Sequence, residues 1–302
     1  MGANSSTPEP APASPVTQFE KPWRKTDWSK TNRDNMVETL RNFDLKDLNL
    51  GQLRCLLLGP IGSGKSSFIN SVNNVFQGRI AHSALAAASY GTSFTRTYNT
   101  HYIQNEPKCL PFVFNDIMGL EEQNGLGIHP DDLISALRGH LPEGYAFNPV
   151  TPLREESRDY KKHPNIEDKV HCLVNVIPAD KLSFISTEVI EKITKIRAIA
   201  TELGVPQVVV LTMPDKACDL VGNDLQKIYT SIEIKKKMQI CSNYLGVPMD
   251  CILAVKNYHE EDGLNDDLDI LILTAMSRIM NVAKDFMWME QKRKTVNNTH
   301  HP

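Results

Sequence analysis

Gly59-Pro60-Ile61-Gly62-Ser63-Gly64-Lys65-Ser66 is the stretch of this 302-residue chain that decides its fold. It matches the G-x-x-x-x-G-K-[ST] phosphate-binding loop. The apolar run at 53–58 comes directly before it and predicts a buried strand. After it, apolar residues recur between 68 and 76 at the spacing of one helix face. The strand, loop and helix that the motif requires are therefore all present.

The loop residues predict how a polyphosphate is bound. Glycines let the backbone wrap the anion with its N–H groups, and the following helix directs its positive N-terminal end at the same anion. Lys65 is expected to contact the β and γ phosphates and to stabilise charge in a transition state, and Ser66 to hold Mg²⁺. The predicted phosphate-binding residues are Gly59, Gly62, Ser63, Gly64, Lys65, Ser66, Ser67 and Gly119.

A second segment supplies a carboxylate for the metal. The apolar run at 110–115 leads into Asp116-Ile117-Met118-Gly119. An Asp at the carboxyl end of a strand beside the phosphate loop can hold a water on Mg²⁺, and Gly119 can offer its N–H to a γ-phosphate. Asp-x-x-Gly also occurs in ordinary turns. Its position at the end of a predicted strand favours Ser66 and Asp116 as the metal site.

A further buried strand, predicted at 207–212, leads into Thr212-Met213-Pro214-Asp215. Guanine presents two adjacent N–H donors that one carboxylate accepts together, whereas adenine has no such pair. Thr212 and Asp215 are therefore predicted to bind the base, with Lys256 approaching from the last strand. A turn or helix cap at Pro214 is the alternative.

Alternation of apolar runs with helical stretches predicts an α/β fold of the P-loop NTPase class, a mainly parallel sheet with helices on both faces. Residues 1–18 are predicted to be a disordered leader, 19–52 a helical extension packed on the core, 53–289 the P-loop domain and 290–302 a polar tail. Helices are expected over 131–140, over 182–203 with Phe184 facing inward, and over 268–289. An insertion at about 120–169 either reports nucleotide state to an unknown protein partner or is an irregular surface segment.

Composition narrows the function classes. A net charge of −3 argues against direct nucleic-acid binding. Six scattered cysteines are typical of reduced thiols in a cytoplasmic protein. Met1-Gly2-Ala3-Asn4-Ser5-Ser6 fits the myristoylation pattern, and one acyl chain on Gly2 would give weak, reversible membrane contact.

The order of these motifs is similar to that of the translation-factor-related GTPases. Residues 57–78, together with 19–24, 110–112 and 145–149, more closely resemble the interferon-induced protein 44 and 44-like family. The resemblance covers residues 19 to 289. It implies a cytoplasmic, interferon-inducible protein of innate antiviral immunity with a GTPase-like domain. The motifs themselves predict GTP or GDP as the ligand, with Mg²⁺.

Departures from an efficient GTPase predict slow conversion of GTP to GDP and phosphate. Met213 replaces the usual lysine of the base motif, and Leu120 stands where many small GTPases keep a water-orienting glutamine. Ile61 is expected to crowd a catalytic group that approaches the γ-phosphate. Thr92 is a candidate switch threonine, with an ordinary hydroxyl in a polar loop as the alternative. Three functions remain open: a slow GTPase that acts as a nucleotide-dependent switch, a pseudo-GTPase scaffold without hydrolysis, and a nucleotide kinase.

Overall fold

One seven-stranded mixed sheet forms the centre of the protein. The structure is a computed structural model and describes residues 17–81, 97–105, 108–122 and 128–299. Gly2, Thr92 and most of the predicted leader lie outside the described residues. The sheet order is β4-β2-β3-β1-β5-β6-β7. The strands are β1 Leu53–Leu58, β2 Thr97–Asn105, β3 Lys108–Asp116, β4 Tyr145–Ala146, β5 Cys172–Pro178, β6 Gln207–Thr212 and β7 Ile252–Val255.

Helices cover both faces of this sheet. One face carries α1, α2 and α8, and the other carries α3, α4 and α7. The predicted fold class is confirmed. The helices are α1 Lys30–Arg41, α2 Lys65–Gln77, α3 Pro130–Arg138, α4 Thr187–Glu202, α5 Pro214–Ala217, α6 Asp219–Asn223, α7 Ile232–Leu245 and α8 Asp266–Thr299.

The strand directions place the candidate site. β1 pairs in parallel with β3 and β5, and β6 pairs in parallel with β5 and β7. β2 pairs antiparallel with both β3 and β4, so it alone among the described strands runs against the others. The carboxyl ends of the five parallel strands therefore meet at one edge, on both sides of β1. Ligands of open α/β sheets bind at such an edge.

The prediction of one helix over 182–203 with Phe184 inward is wrong. A single 3-10 turn, Leu182–Phe184, precedes α4, and Ile185 is extended. The hydroxyl of Ser186 then accepts the N–H of Val189 at 3.4 Å and caps α4. Because this break changes the phase of the apolar stripe, Phe184 is 82% exposed.

The last helix is longer than the sequence indicates. It begins at Asp266 and continues past the predicted end at Met289 as far as Thr299. The polar composition of residues 290–299 removed the apolar stripe on which the prediction relied. Every helix in the part of the chain that the structure describes is too short or too polar to span a lipid bilayer.

Segments outside the central strands and helices are tied to the core by polar contacts. Arg24 donates to the carbonyls of Met249 and Ile252 at 2.7 and 2.9 Å, and its guanidinium lies within about 5 Å of the rings of both Trp23 and Tyr229. These contacts fasten the stretch before α1 to the start of β7.

The insertion is fastened in the same way. Asp132 is buried and accepts the N–H of Leu153 at 2.8 Å and the hydroxyl of Tyr145 at 3.2 Å. Tyr145 belongs to β4, which pairs with β2 and which the sequence did not indicate because it has only two residues. Part of the insertion thus extends the sheet.

Asn175 places an amide in an apolar part of the core. It lies on β5 between Leu58 of β1 and Val209 of β6 and is fully buried. Neither its Oδ1 nor its Nδ2 has a hydrogen-bond partner among the described residues. An isosteric apolar side chain avoids that desolvation cost, so Asn175→Leu is expected to raise the free energy of unfolding by about 1–2 kcal/mol. Urea denaturation measures it, and a decrease would show that the amide is paired in solution.

His171 predicts a pH dependence of stability. Its Nδ1 accepts the N–H of Arg54 and its Nε2 donates to the carbonyl of Ile166, both at 2.9 Å, which requires a neutral ring. Burial lowers the pKa of His171 from 6.5 to about 4. As the pH falls, the unfolded chain protonates this imidazole before the folded chain does. The stability that neutral His171 contributes is therefore complete above pH 6.5 and is lost as the pH falls to about 4. The expected loss of unfolding free energy is roughly 3 kcal/mol.

Asn at this position offers an uncharged acceptor and donor, so His171→Asn serves as the matched variant. Urea denaturation across that pH range gives the free energy of unfolding of both proteins. The difference between them separates the effect of the imidazole from the effect of titrating carboxylates. Parallel pH profiles would contradict the assignment.

Candidate nucleotide-binding site

The phosphate loop is shaped by three glycines, two of which have a left-handed backbone and one of which has no room for a side chain. Gly62 and Gly64 have positive φ values of 73° and 88°, in the left-handed region that favours glycine. A Cβ on Gly59 would lie 2.1 Å from the carbonyl oxygen of Val176 in β5. The loop therefore packs closely on the next strand and turns its backbone into α2.

Lys65, the first residue of α2, is held within the loop. Its Nζ donates to the carbonyls of Gly59 at 3.1 Å and Pro60 at 3.0 Å. Burial lowers the pKa of Lys65, and the nearby charge of Asp116 opposes that effect. An ammonium so placed lies at the loop wall, where a phosphate oxygen can compete for it.

Ser66 and Asp116, predicted as the metal site, lie side by side. The hydroxyl of Ser66 donates to Oδ2 of Asp116 at 2.6 Å, joining the start of α2 to the end of β3. A hydroxyl and a carboxylate beside a phosphate site fit Mg²⁺, which takes few protein ligands and completes its shell with phosphate oxygens and water. The described residues contain no cluster of three or more His, Cys, Asp or Glu side chains suited to a metal.

Gly119 lies directly against the loop. A Cβ there would be 2.6 Å from Cγ1 of Ile61, so only glycine fits. Leu120 donates its N–H to the carbonyl of Gly59 at 3.0 Å, and Ile61 donates to the carbonyl of Leu120 at 3.4 Å. The segment after Asp116 is thereby joined to the phosphate loop as a short parallel bridge. Leu120 itself is buried and offers no polar side-chain group.

The structure places Thr212 under the loop. Its hydroxyl donates to the carbonyl of Ser63 at 2.6 Å and approaches the carbonyl of Ile177 at 3.3 Å. Met213 follows with φ of 56°, one of two described non-glycine residues with positive φ. This turn starts α5, and Asp215 lies in its first turn, half-buried. Thr212 thus contacts the loop, and the role of Asp215 in base binding stays a prediction.

The last strand contributes a residue that the sequence analysis missed. Lys256, predicted near the base, forms an ion pair with Glu261 at 2.9 Å. Its neighbour Asn257 donates Nδ2 to the carbonyl of Gly64 at 3.2 Å. Thr212 and Asn257 therefore hold two consecutive carbonyls of the phosphate loop from two strands. The available signal was a polar side chain two residues after the end of a strand at this edge.

Asn257→Ala tests that link. Removal of the amide frees the Gly64 carbonyl and loosens the loop, so GTP affinity is expected to fall about ten-fold. Calorimetric titration of GTP measures it, with Asn243→Ala on α7 as the control. Unchanged affinity in a folded variant would show that the loop does not need Asn257.

The fold and this site define the class of protein. A phosphate loop between β1 and α2, with a Ser–Asp pair at the carboxyl edge of a mainly parallel sheet, is the architecture of P-loop NTPases. Solved structures with a similar fold include a probable GTP-binding protein engB (TM-score 0.43, 12% identity, 77% of this chain and 99% of that chain). Toc33 from Arabidopsis thaliana in complex with GDP and Mg²⁺ is another (TM-score 0.44, 14% identity, 85% and 93%). Because both TM-scores are below 0.5, the assignment to the P-loop NTPases rests on the strand order and the phosphate loop.

Sequence comparison identifies particular relatives. Interferon-induced protein 44 from Homo sapiens is 35% identical over 257 residues, which are 84% of this chain and 57% of that protein. The Mus musculus protein of the same name is 34% identical over 266 residues, 87% and 62% respectively. Interferon-induced protein 44-like from Homo sapiens is 28% identical over 261 residues, 86% and 58%. No protein-family model matches.

The predicted relationship is confirmed: over most of its length the chain is homologous to proteins named interferon-induced protein 44 and 44-like. The chain spans less than two thirds of the length of these relatives.

Proposed function

We propose that the chain binds a guanine nucleotide with Mg²⁺ and acts as a slow GTPase, a nucleotide-dependent switch in the interferon-induced antiviral response of the cytoplasm. The observation that carries this proposal is the 2.6 Å contact between Ser66 and Asp116 beside the phosphate loop. Two segments fifty positions apart meet where a Mg²⁺ ion bound to a triphosphate needs oxygen ligands. In the bound state the ion would neutralise phosphate charge.

The residues around the loop support slow hydrolysis. Rapid GTPases orient the attacking water with a polar side chain close to the γ-phosphate. Here Leu120 is buried and apolar, and Ile61 packs on Gly119 at the same place. Loop N–H groups, Lys65 and the metal would then supply most of the stabilisation of transition-state charge.

The preference for guanine rests on Asp215, and the immune role rests on the names of the relatives. Both extend beyond the geometry of the phosphate loop. The cytoplasmic assignment is supported by the scattered, unpaired cysteines, of which Cys55, Cys172 and Cys241 are buried.

Single-turnover hydrolysis with excess protein over labelled GTP tests the activity. We expect slow release of phosphate that requires Mg²⁺ and is lost in Lys65→Ala. Equal residual rates for the two proteins, with GTP still bound by the wild type, would leave the pseudo-GTPase scaffold. Label found on an acceptor rather than in free phosphate would instead identify a nucleotide kinase.

A further inference from the structure

A groove opens beside the phosphate loop, on the side of α4. It encloses about 380 Å³ between the loop, the segment after Gly119 and the turn that precedes α4. Its walls are mainly apolar. They include Pro60, Ile61, Leu120, Phe184, Ile185 and Val189.

Two large apolar side chains at this groove are exposed. Phe184 is 82% exposed and Ile61 is 48% exposed. Exposed apolar groups grouped at a groove mark interaction sites, whereas single scattered ones do not. Phe184 is also the residue that the apolar pattern of 182–203 predicts to be buried and that the structure exposes. Positions where a sequence pattern and the structure disagree are concentrated at functional sites.

Opposite charges stand on the two walls. Lys181 lines one wall, and Glu121 and Glu122 line the other. Among the residues that the structure describes, none of these three side chains takes part in an ion pair. Lys192 donates to the carbonyls of Glu121 at 2.7 Å and Glu122 at 3.4 Å. Since those bonds go to the main chain, the two carboxylates remain available to a partner.

This arrangement is complementary to itself. In a two-fold symmetric contact the same surface of both copies meets, so that residue i of one copy faces residue j of the other, and j faces i. A basic group and an acidic pair on opposite walls of an apolar groove satisfy that condition. A partner with charge of one sign would leave one wall unpaired.

We propose that the groove is an interface between two copies of this chain. Phe184 of each copy enters the groove of the other, and Lys181 of each copy faces Glu121 and Glu122 of the other. Because Ile61 and Leu120 also belong to the nucleotide site, the second copy would lie beside the triphosphate. The inference goes beyond the proposed function and does not require it.

Charge reversal provides the test, with sedimentation velocity of the full chain over a concentration series. Lys181→Glu and the double variant Glu121→Lys/Glu122→Lys are each expected to weaken the dimer about ten-fold or more, because each sets like charges against each other. An equimolar mixture of the two variants restores both attractive pairs, so a heterodimer with near wild-type affinity is expected. Lys195→Glu, on an exposed position of α4 outside the groove, is the control for net charge.

Phe184→Ser tests the apolar contact. It is expected to weaken the dimer by about ten-fold or more, since a buried aromatic anchor is lost. Val150→Ser, which removes an exposed apolar side chain elsewhere, is expected to have no effect. Because Phe184 is exposed in the single chain, its replacement leaves folding intact.

Three results would overturn the inference. The wild type could stay monomeric with and without GTP and Mg²⁺, or its dimer could be insensitive to these substitutions. The equimolar mixture of the two charge-reversed variants could also dimerise no more tightly than either variant alone. Nucleotide affinity is measured on the same samples. A monomer that binds GTP rejects the interface and keeps the proposed function. A dimer that depends on the groove but binds no nucleotide supports the interface and rejects the proposed function.

Discussion

Lys65→Ala is expected to lower the affinity for GTP by about 100-fold or more, the larger of the effects predicted here. The ammonium is the only buried cation in the described part of the phosphate loop, and it already contacts two loop carbonyls. A triphosphate offers it charged oxygens in their place, and charge-assisted hydrogen bonds are about twice as strong as neutral ones. Titration of a fluorescent GTP analogue with Mg²⁺ gives both affinities.

Lys236→Ala on the exposed face of α7 is the matched control, because it removes the same charge away from the site. It is expected to bind GTP like the wild type. If Lys65→Ala also binds like the wild type while retaining its fold by circular dichroism, the loop does not hold the phosphates.

Asp215→Asn is expected to change the base that the protein prefers. A carboxylate accepts N1–H and N2–H₂ of guanine, whereas xanthine replaces the second donor by a carbonyl that an amide can donate to. Affinity for GTP should fall by roughly 100-fold and affinity for XTP should rise, because polar groups left unpaired dominate such discrimination. Competition of both nucleotides against one fluorescent analogue measures the ratio.

Asp219→Asn at the exposed start of α6 serves as the control for loss of a carboxylate in the same region. An unchanged ratio of GTP to XTP affinity in Asp215→Asn would remove Asp215 from base recognition. The turn at Met213 and Pro214 would then be only the start of a short helix.

Much of the fold was predictable from the sequence because its signals are local. The apolar runs at 53–58 and 207–212 coincide with β1 and β6. β4 was missed since two residues carry no periodicity. Phe184 was misplaced because a single capping serine, Ser186, interrupts a stripe that otherwise continues.

Some residues of the candidate site were likewise predictable from the sequence, and others were not. Ser66 and Asp116 were predicted together because the carboxyl ends of parallel strands meet at one edge, which depends only on topology. The bonds from Thr212 and Asn257 to the loop carbonyls depend on side-chain orientation across strands far apart in sequence. No local pattern contains that information. The groove beside α4 likewise required the packing of three segments.

The central claim is that this chain binds a purine triphosphate through its phosphate loop and metal pair. Isothermal titration calorimetry with GTP, GDP and ATP in the presence of Mg²⁺ tests it most directly. We expect saturable heat with GTP and GDP, weaker binding of ATP, and loss of the GTP signal in Lys65→Ala. Absence of any binding heat with all three nucleotides at millimolar concentration would contradict it.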